Sequence, residues 1–320
     1  MDKFWQRKKV LVTGGTGFIG SYVCEFLLKL GANVRATSKS GNLENIKKIK
    51  KEIEVVLSDL TDFQQALKAC RKEEIVLNLA SRVAGIQFNI THPAEMFRAN
   101  VQIAQNVIEA ALINNVERFL MVSSACVYPR EAGIPNREEE GFLNDPEPSN
   151  LGYGWSKRVN ELLGRFYSQE YGMKVAIVRP FNAYGPRDNF DPQYSHVIPS
   201  LIKRIYEAEN PLVVWGSGKQ TRSFLFAEDF ARGLLMATEK YAVTDVINLG
   251  SEEEISIESL AKLIVRLSGK KTEIKFDKSK PDGQPRRSCN TEKARKKIGF
   301  TAKIKLEEGL RRTLEWYEQR

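Results

Sequence analysis

The sequence predicts an α/β fold: a Rossmann-type, doubly wound parallel sheet with a smaller, partly interwoven C-terminal α/β part. Three observations carry that expectation. Short apolar runs alternate with amphipathic helical stretches from the first residues onward, the order that builds a parallel sheet covered on both faces. Gly14, Gly17 and Gly20 follow the first such run and open the first helical stretch. That arrangement lets the backbone turn tightly and approach a pyrophosphate. Of the 320 residues, 42% are hydrophobic, enough for a large core.

Taken in order, residues 9–13 read as a buried strand and 18–30 as a helix. Residues 33–37, 53–57 and 75–79 read as further strands, with a helical segment at 62–70. A long helical pattern spans 93–114, followed by a strand at 118–123, a second long helix at 151–171 and a strand at 174–179. After Pro180 the pattern loosens. Residues 181–195 are rich in Asn, Pro, Asp and Gly and read as a loop. Beyond it come a helix at 197–208, short strands, a late strand at 246–249, and two or three C-terminal helices ending with 306–319. No repeat or low-complexity linker marks a clean boundary.

Composition narrows the function classes. The net charge is +9, but 49 basic residues are interleaved with 40 acidic ones. That is the surface of a Lys/Glu-rich globular protein, and its excess charge favours small anions such as nucleotides. No finger, basic zipper or aromatic-interleaved basic stripe points to nucleic acid. No apolar stretch reaches the roughly 18 residues of a membrane helix, and the run after the basic N-terminus is too short for a signal-peptide core. A soluble, cytoplasmic protein without a membrane partner is expected. Cys24, Cys70, Cys126 and Cys289 form no Cys-x-x-Cys pair, and His92 and His196 are the only histidines. Neither a disulfide framework nor a metal site is predicted. Cys24 and Cys70 read as buried thiols, and His92, next to Pro93, as a structural residue.

The turn Thr13-Gly14-Gly15-Thr16-Gly17-Phe18-Ile19-Gly20 places Gly14, Thr16, Gly17, Phe18, Ile19 and Gly20 against a dinucleotide. An NAD site usually carries an acidic residue about 20 positions on, yet residues 26–43 contain neither Asp nor Glu. Arg35, Ser38 and Lys39 stand there instead, and a cation with a hydroxyl suits a 2′-phosphate. NADP is therefore predicted, with NAD as the alternative. Asp59 and Leu60 lie just past the third strand; Asp59 reads equally as an adenine-edge contact or as a helix cap. Leu79, Ala80 and Ser81 end the fourth strand beside the cofactor, and Asn100, Pro180, Asn182 and His196 complete the expected cofactor set.

Tyr153 and Lys157 lie four apart on a predicted helix and share one face, downstream of Ser123-Ser124 at the ligand end of the fifth strand. A phenol with an ordinary pKa near 10 needs an adjacent cation to act near neutrality. The glycine pattern, that serine, Tyr-x-x-x-Lys and Arg179-Pro180-Phe181-Asn182-Ala183-Tyr184-Gly185-Pro186 resemble the extended short-chain dehydrogenase/reductase family of nucleotide-sugar epimerases and dehydratases, over essentially the whole chain. The resemblance implies that Tyr153 is the acid/base, Lys157 holds the nicotinamide ribose and Ser124 binds the substrate's oxygen. It also implies an NAD(P)-binding domain over 1–180 with about 227–250, and a nucleotide-sugar-binding domain over 181–226 and 251–320. Relatives commonly dimerise through the two long helices, so a homodimer is expected.

Three further stretches resemble the GDP-L-fucose synthases, which epimerise a 4-keto-6-deoxy sugar at carbons 3 and 5 and reduce carbon 4 with NADPH. They are Ser124-Ala125-Cys126-Val127-Tyr128-Pro129, Gly185-Pro186-Arg187-Asp188-Asn189-Phe190 with Ser195-His196-Val197-Ile198-Pro199, and Trp215-Gly216-Ser217-Gly218 before Arg222. That resemblance implies Cys126 and His196 as epimerisation base and acid. It implies Asn182, Arg204, Trp215, Arg222 and either Arg286 or Arg287 around the nucleotide sugar. Thr16 stands where those synthases usually carry arginine, and Arg82 to Ile86 only approximate their glycine-rich stretch. Two other readings stay open: a redox-neutral epimerase retaining NAD, of the GDP-mannose 3,5-epimerase or UDP-sugar 4-epimerase kind, and a non-catalytic nucleotide sensor on the same fold. A 4,6-dehydratase needs an Asp-Glu pair where Ala125-Cys126 stand.

Overall fold

The computed structural model describes residues 2–191, 194–280 and 284–320. Six strands, β1 (Lys9–Thr13), β2 (Asn33–Ser38), β3 (Glu54–Leu57), β4 (Ile75–Asn78), β5 (Arg118–Val122) and β6 (Lys174–Pro180), form one sheet with the late strand Val246–Leu249. The order is β3-β2-β1-β4-β5-β6 followed by Val246–Leu249, and every neighbouring pair is parallel. Sheets of this kind are covered on both faces, so their strands read as continuous apolar runs. In β1, Val10 and Val12 join one core cluster and Leu11 the other, all fully buried.

The first face is covered by the helices Phe18–Lys29 and Ala227–Lys240, which pack on each other. The second is covered by Phe63–Ala69, Pro93–Ile113 and Leu151–Tyr171. The strand order reverses between β1 and β4, and at such a switch point the strands' carboxyl ends open a crevice for ligand. A third apolar cluster belongs to the C-terminal part, where helices Val197–Tyr206, Ile257–Ser268 and Leu306–Glu318 enclose Leu212 and Val214. Beside it, Glu254–Ser256, Thr221–Ser223 and Arg286–Arg287 form a small sheet.

The elements expected from sequence are present, with ends moved for identifiable reasons. The helix expected at 62–70 spans Phe63–Ala69 because Asp62 is its N-cap, accepting from the Gln65 N–H at 3.1 Å. The one expected at 197–208 stops at Tyr206, before Ala208 turns into the left-handed region at φ 58°. A helix at Ile86–Thr91 forms in a stretch with no expected element; six residues are too few for a helical period to be read. Among the described residues no helix is long and apolar enough to cross a membrane.

Candidate active site

One cleft of about 2010 Å³ runs along the carboxyl ends of the strands and on into the C-terminal part. A single small-ligand site is about 300–1,000 Å³, so this cleft has room for two ligands end to end.

Its cofactor arm is made largely of backbone. Helix Phe18–Lys29 begins after Gly17 with no side-chain cap, leaving its first N–H groups free for an anion. A Cβ at Gly20 would stand 2.2 Å from the Gly14 carbonyl oxygen, so only glycine allows this packing of helix on turn. The Thr13 hydroxyl donates to Asn78 Oδ1 at 2.8 Å and accepts from the Ala80 N–H at 2.9 Å, tying β1 to the turn after β4. Thr16, Phe18, Ile19, Leu60, Leu79, Ala80 and Ser81 all line the arm. These features fit a dinucleotide.

At the end of β2, Ser38 Oγ accepts from the Thr16 hydroxyl (2.9 Å) and the Gly41 N–H (3.1 Å). Lys39 pairs with Asp59 at 2.8 Å. The Lys39 ammonium, and then hydrogen bonds from Thr61, hold the Asp59 carboxyl below its ordinary range. Asp59 lines the cleft and caps no helix, since Asp62 does that. Two expected cofactor residues are turned elsewhere. Arg35 sits inside β2, and its guanidinium pairs with Glu54 and Glu73 and donates to the carbonyls of Ala69 and Arg71. Asn100 is buried and acts on the loop after β4: its Oδ1 accepts from Ser81 and the Arg82 N–H, and its Nδ2 donates to the carbonyls of Arg82 and Met96. Asn45, in the short 3-10 helix Glu44–Ile46, and Lys47 and Lys48 just after it also line this arm. No sequence signal marked them.

At the centre, helix Leu151–Tyr171 presents Tyr153 and Lys157 to the cleft. Lys157 Nζ lies 5.5 Å from the Tyr153 ring centroid and donates to the Val122 carbonyl at 3.0 Å. Burial pulls the Lys157 ammonium down to about 8. It pushes the Tyr153 phenol up, outweighing the opposing pull of the Ser81 and Ser124 hydroxyls. Ser124 Oγ accepts from the Cys126 N–H at 3.1 Å, opening a single helical turn at Ala125–Val127. Gly154 makes this convergence possible, because a Cβ there would meet the Cys126 carbonyl oxygen at 2.4 Å.

The substrate arm is built of side chains. His196 precedes helix Val197–Tyr206 and faces the same cleft as Cys126, Ser124 and Tyr153, where it is exposed to solvent. Arg222 and Arg287 are register partners on adjacent parallel strands and therefore share a face, the one lining the cleft. Arg286 takes the opposite face and makes a two-pronged ion pair with Glu254 (2.7 and 2.7 Å). Of the two expected alternatives, Arg287 is the cleft residue. Its Nε donates to Gln284 Oε1 at 2.8 Å, and its Nη1 lies 3.9 Å from Cys126 Sγ. Arg204 lines the cleft while bonded to Glu209 and the Val213 carbonyl. Trp215 is 50% exposed at the rim, Pro180 lines the junction of the arms, and Asn182 Nδ2 donates to the Ser223 carbonyl at 2.7 Å.

Sequence reasoning missed Arg187, Gln220 and Gln284 here. Arg187 locks the loop after β6 onto the cofactor helix through Ser21 Oγ (3.1 Å) and Glu25 (2.7 Å). The two glutamines line the cleft and carry no motif. His92 stacks on Phe88 with centroids 4.2 Å apart, a structural role. Cys24 and Cys70 are buried, and burial pushes each thiol up to about 12. Among the described residues no His, Cys, Asp and Glu group could hold a metal ion.

Residues 10–250 match the sequence profile of the NAD dependent epimerase/dehydratase family. The chain is 35% identical to a GDP-L-fucose synthase of Sinorhizobium fredii over 96% of its own length and 95% of the relative's. Among solved structures it resembles a UDP-glucose 4-epimerase of Thermotoga maritima, with a TM-score of 0.87, 26% identity, and 97% and 98% of the two chains covered. It also resembles a GDP-L-fucose synthetase of Naegleria fowleri bound to NADP, with a TM-score of 0.81, 27% identity, and 98% and 95% covered.

Proposed function

The chain belongs to the NAD-dependent epimerase/dehydratase family, and on that premise we propose that it epimerises a GDP-4-keto-6-deoxy-hexose at carbons 3 and 5 and then reduces carbon 4 with NADPH. One observation carries this reading: a single cleft brings Ser124, Tyr153 and Lys157 together with Cys126 and His196. The first three suit reduction of a ketone. The thiol and imidazole suit proton exchange at its neighbouring carbons.

A ketone at carbon 4 acidifies the hydrogens on carbons 3 and 5. Cys126, as thiolate, takes a proton from one face of the ring, and His196, as imidazolium, returns one from the other. His196 is exposed to solvent in the open cleft, and a diphosphate anion arriving with the substrate would favour its imidazolium. The Ser124 hydroxyl, whose oxygen accepts from the Cys126 N–H, also bonds to the Tyr153 phenol, so a ketone oxygen placed between the two would receive a hydrogen bond from each. A phenol pushed up by burial stays protonated near neutrality, which suits Tyr153 to giving its proton to that oxygen. Lys157, cationic below about 8, steadies the phenolate left behind. NADPH held against the Gly14 turn and the start of helix Phe18–Lys29 would supply the hydride, with the protein orienting it.

The helix start at Gly17 and the Gly14 turn would hold the cofactor's pyrophosphate. Ser38 and Lys39 would receive a 2′-phosphate, which a carboxylate at the end of β2 would repel. Arg222 and Arg287 clamp the sugar nucleotide's diphosphate, with Arg204, Asn182 and Trp215 around it. Phe97, Leu151, Trp155 and Phe166 leave apolar surface exposed on the two long helices, and we assign that surface to a second copy of the chain. Four free thiols suit the reducing cytoplasm. The test is NADPH consumption with a GDP-4-keto-6-deoxy-hexose. If NAD instead co-purifies tightly and sugar isomers interconvert without net oxidation, the enzyme is a redox-neutral epimerase.

A further inference from the structure

Directly beneath the reacting groups lies an ion pair sealed from water. Arg179 Nε and Nη2 each donate to the Glu161 carboxylate at 2.8 Å, and the two side chains are 1% and 0% exposed. Arg179 Nη1 donates on to the Tyr128 hydroxyl (3.0 Å) and the Glu138 carbonyl (2.7 Å). The Tyr128 hydroxyl donates to Asn248 Oδ1 at 2.6 Å, on the last strand of the sheet. Replacing a buried ion pair by packed apolar side chains is often neutral or stabilising. Stability therefore gives little reason for charges in this core, while geometry gives a strong one.

The carboxylate accepts one more bond, from the Ser123 hydroxyl at 2.5 Å. Ser123 is the residue before Ser124. Lys157 and Glu161 stand one helical turn apart. Lys157 holds the Val122 carbonyl, Glu161 holds the Ser123 side chain, and the Ser123 N–H is held by the Val178 carbonyl of β6 at 2.8 Å. Two successive turns of the helix that carries Tyr153 thus grip two successive residues at the end of β5, and the next residue is Ser124. We propose that Ser123, Glu161 and Arg179 are positioning residues, which set the distance between the Ser124 hydroxyl and the Tyr153–Lys157 pair. This rests on reading those three as the reacting groups.

The experiment compares Ser123→Ala, Glu161→Gln and the double variant Glu161→Gln/Arg179→Met with wild type. It reads thermal stability, the split between kcat and KM, and the titration of the Lys157 amine, followed by NMR of protein labelled at the lysine nitrogens and assigned against each protein's own Lys157→Met derivative. Glu161→Gln leaves a buried guanidinium unpaired and loses stability. The double variant removes both charges and regains it. In Ser123→Ala and in the double variant, kcat falls roughly tenfold or more while the sugar's KM holds, because misplacement acts on the reacting geometry. In both, Lys157 titrates above its wild-type value of about 8, toward the ordinary lysine range, since a loosened strand end no longer seals the ammonium from water. A double variant that regains stability together with wild-type kcat and wild-type Lys157 titration overturns the proposal. If wild type turns over no nucleotide sugar, the functional reading falls, and the Lys157 titration still decides this one.

Discussion

The two arms of the cleft are built on opposite plans. The cofactor arm is mostly backbone: a helix start at Gly17, a turn at Gly14 and the neighbouring ends of β1, β2 and β4. The substrate arm is scattered and mostly side chain: Cys126 from a turn after β5, His196 from before a helix, and Arg222 and Arg287 from strands 65 residues apart in sequence yet paired in register. A backbone cradle recognises what all dinucleotides share. A side-chain arm can be rebuilt residue by residue, which is how one fold serves many sugars.

Variants that strike one arm and spare the other sharpen the contrast. The largest effect belongs at the junction. Tyr153→Phe should lower kcat for carbon-4 reduction on the order of 1,000-fold, the loss of a positioned proton donor. NADPH affinity, read by fluorescence titration, should hold. Cys126→Ser should slow solvent hydrogen exchange into the sugar about 100-fold with the fold intact by circular dichroism; unchanged exchange removes Cys126 from the mechanism.

Smaller effects separate the ligands. Arg287→Met removes a charged contact worth about 1.5–3 kcal/mol, so the sugar nucleotide's KM should rise roughly tenfold to 100-fold while NADPH binding stays put. Should NADPH binding weaken equally, the arms are not independent. Ser38→Asp does the reverse. A carboxylate at the end of β2 should cost NADPH about tenfold in affinity, the electrostatic share of one nearby like charge, and leave the sugar's binding alone. The mildest is a pH effect. Lys157 is cationic below about 8, so kcat/KM for reduction should fall as pH rises through that value, and Lys157→Met should erase that limb of the profile.

The same contrast explains what could be read from the sequence. Gly14, Gly17 and Gly20 lie within one turn, and Tyr153 and Lys157 within one helical turn, so local spacing carried them. The parallel sheet was legible because buried strands are continuous apolar runs. Arg35 misled because a strand's alternation decides which way a side chain points, and its guanidinium goes to Glu54 and Glu73 instead of the cofactor. Choosing Arg287 over Arg286 needed the pairing with Arg222, which is tertiary. Gln220 and Gln284 carry no charge, period or motif; only the folded cleft brings them forward.

The most direct measurement is turnover in heavy water, with the protein, NADPH and a GDP-4-keto-6-deoxy-hexose, followed by mass spectrometry of the sugar. The expected result is one NADPH oxidised per product, with deuterium at both carbon 3 and carbon 5. Product carrying no deuterium, or deuterated isomers formed with no NADPH consumed, contradicts it.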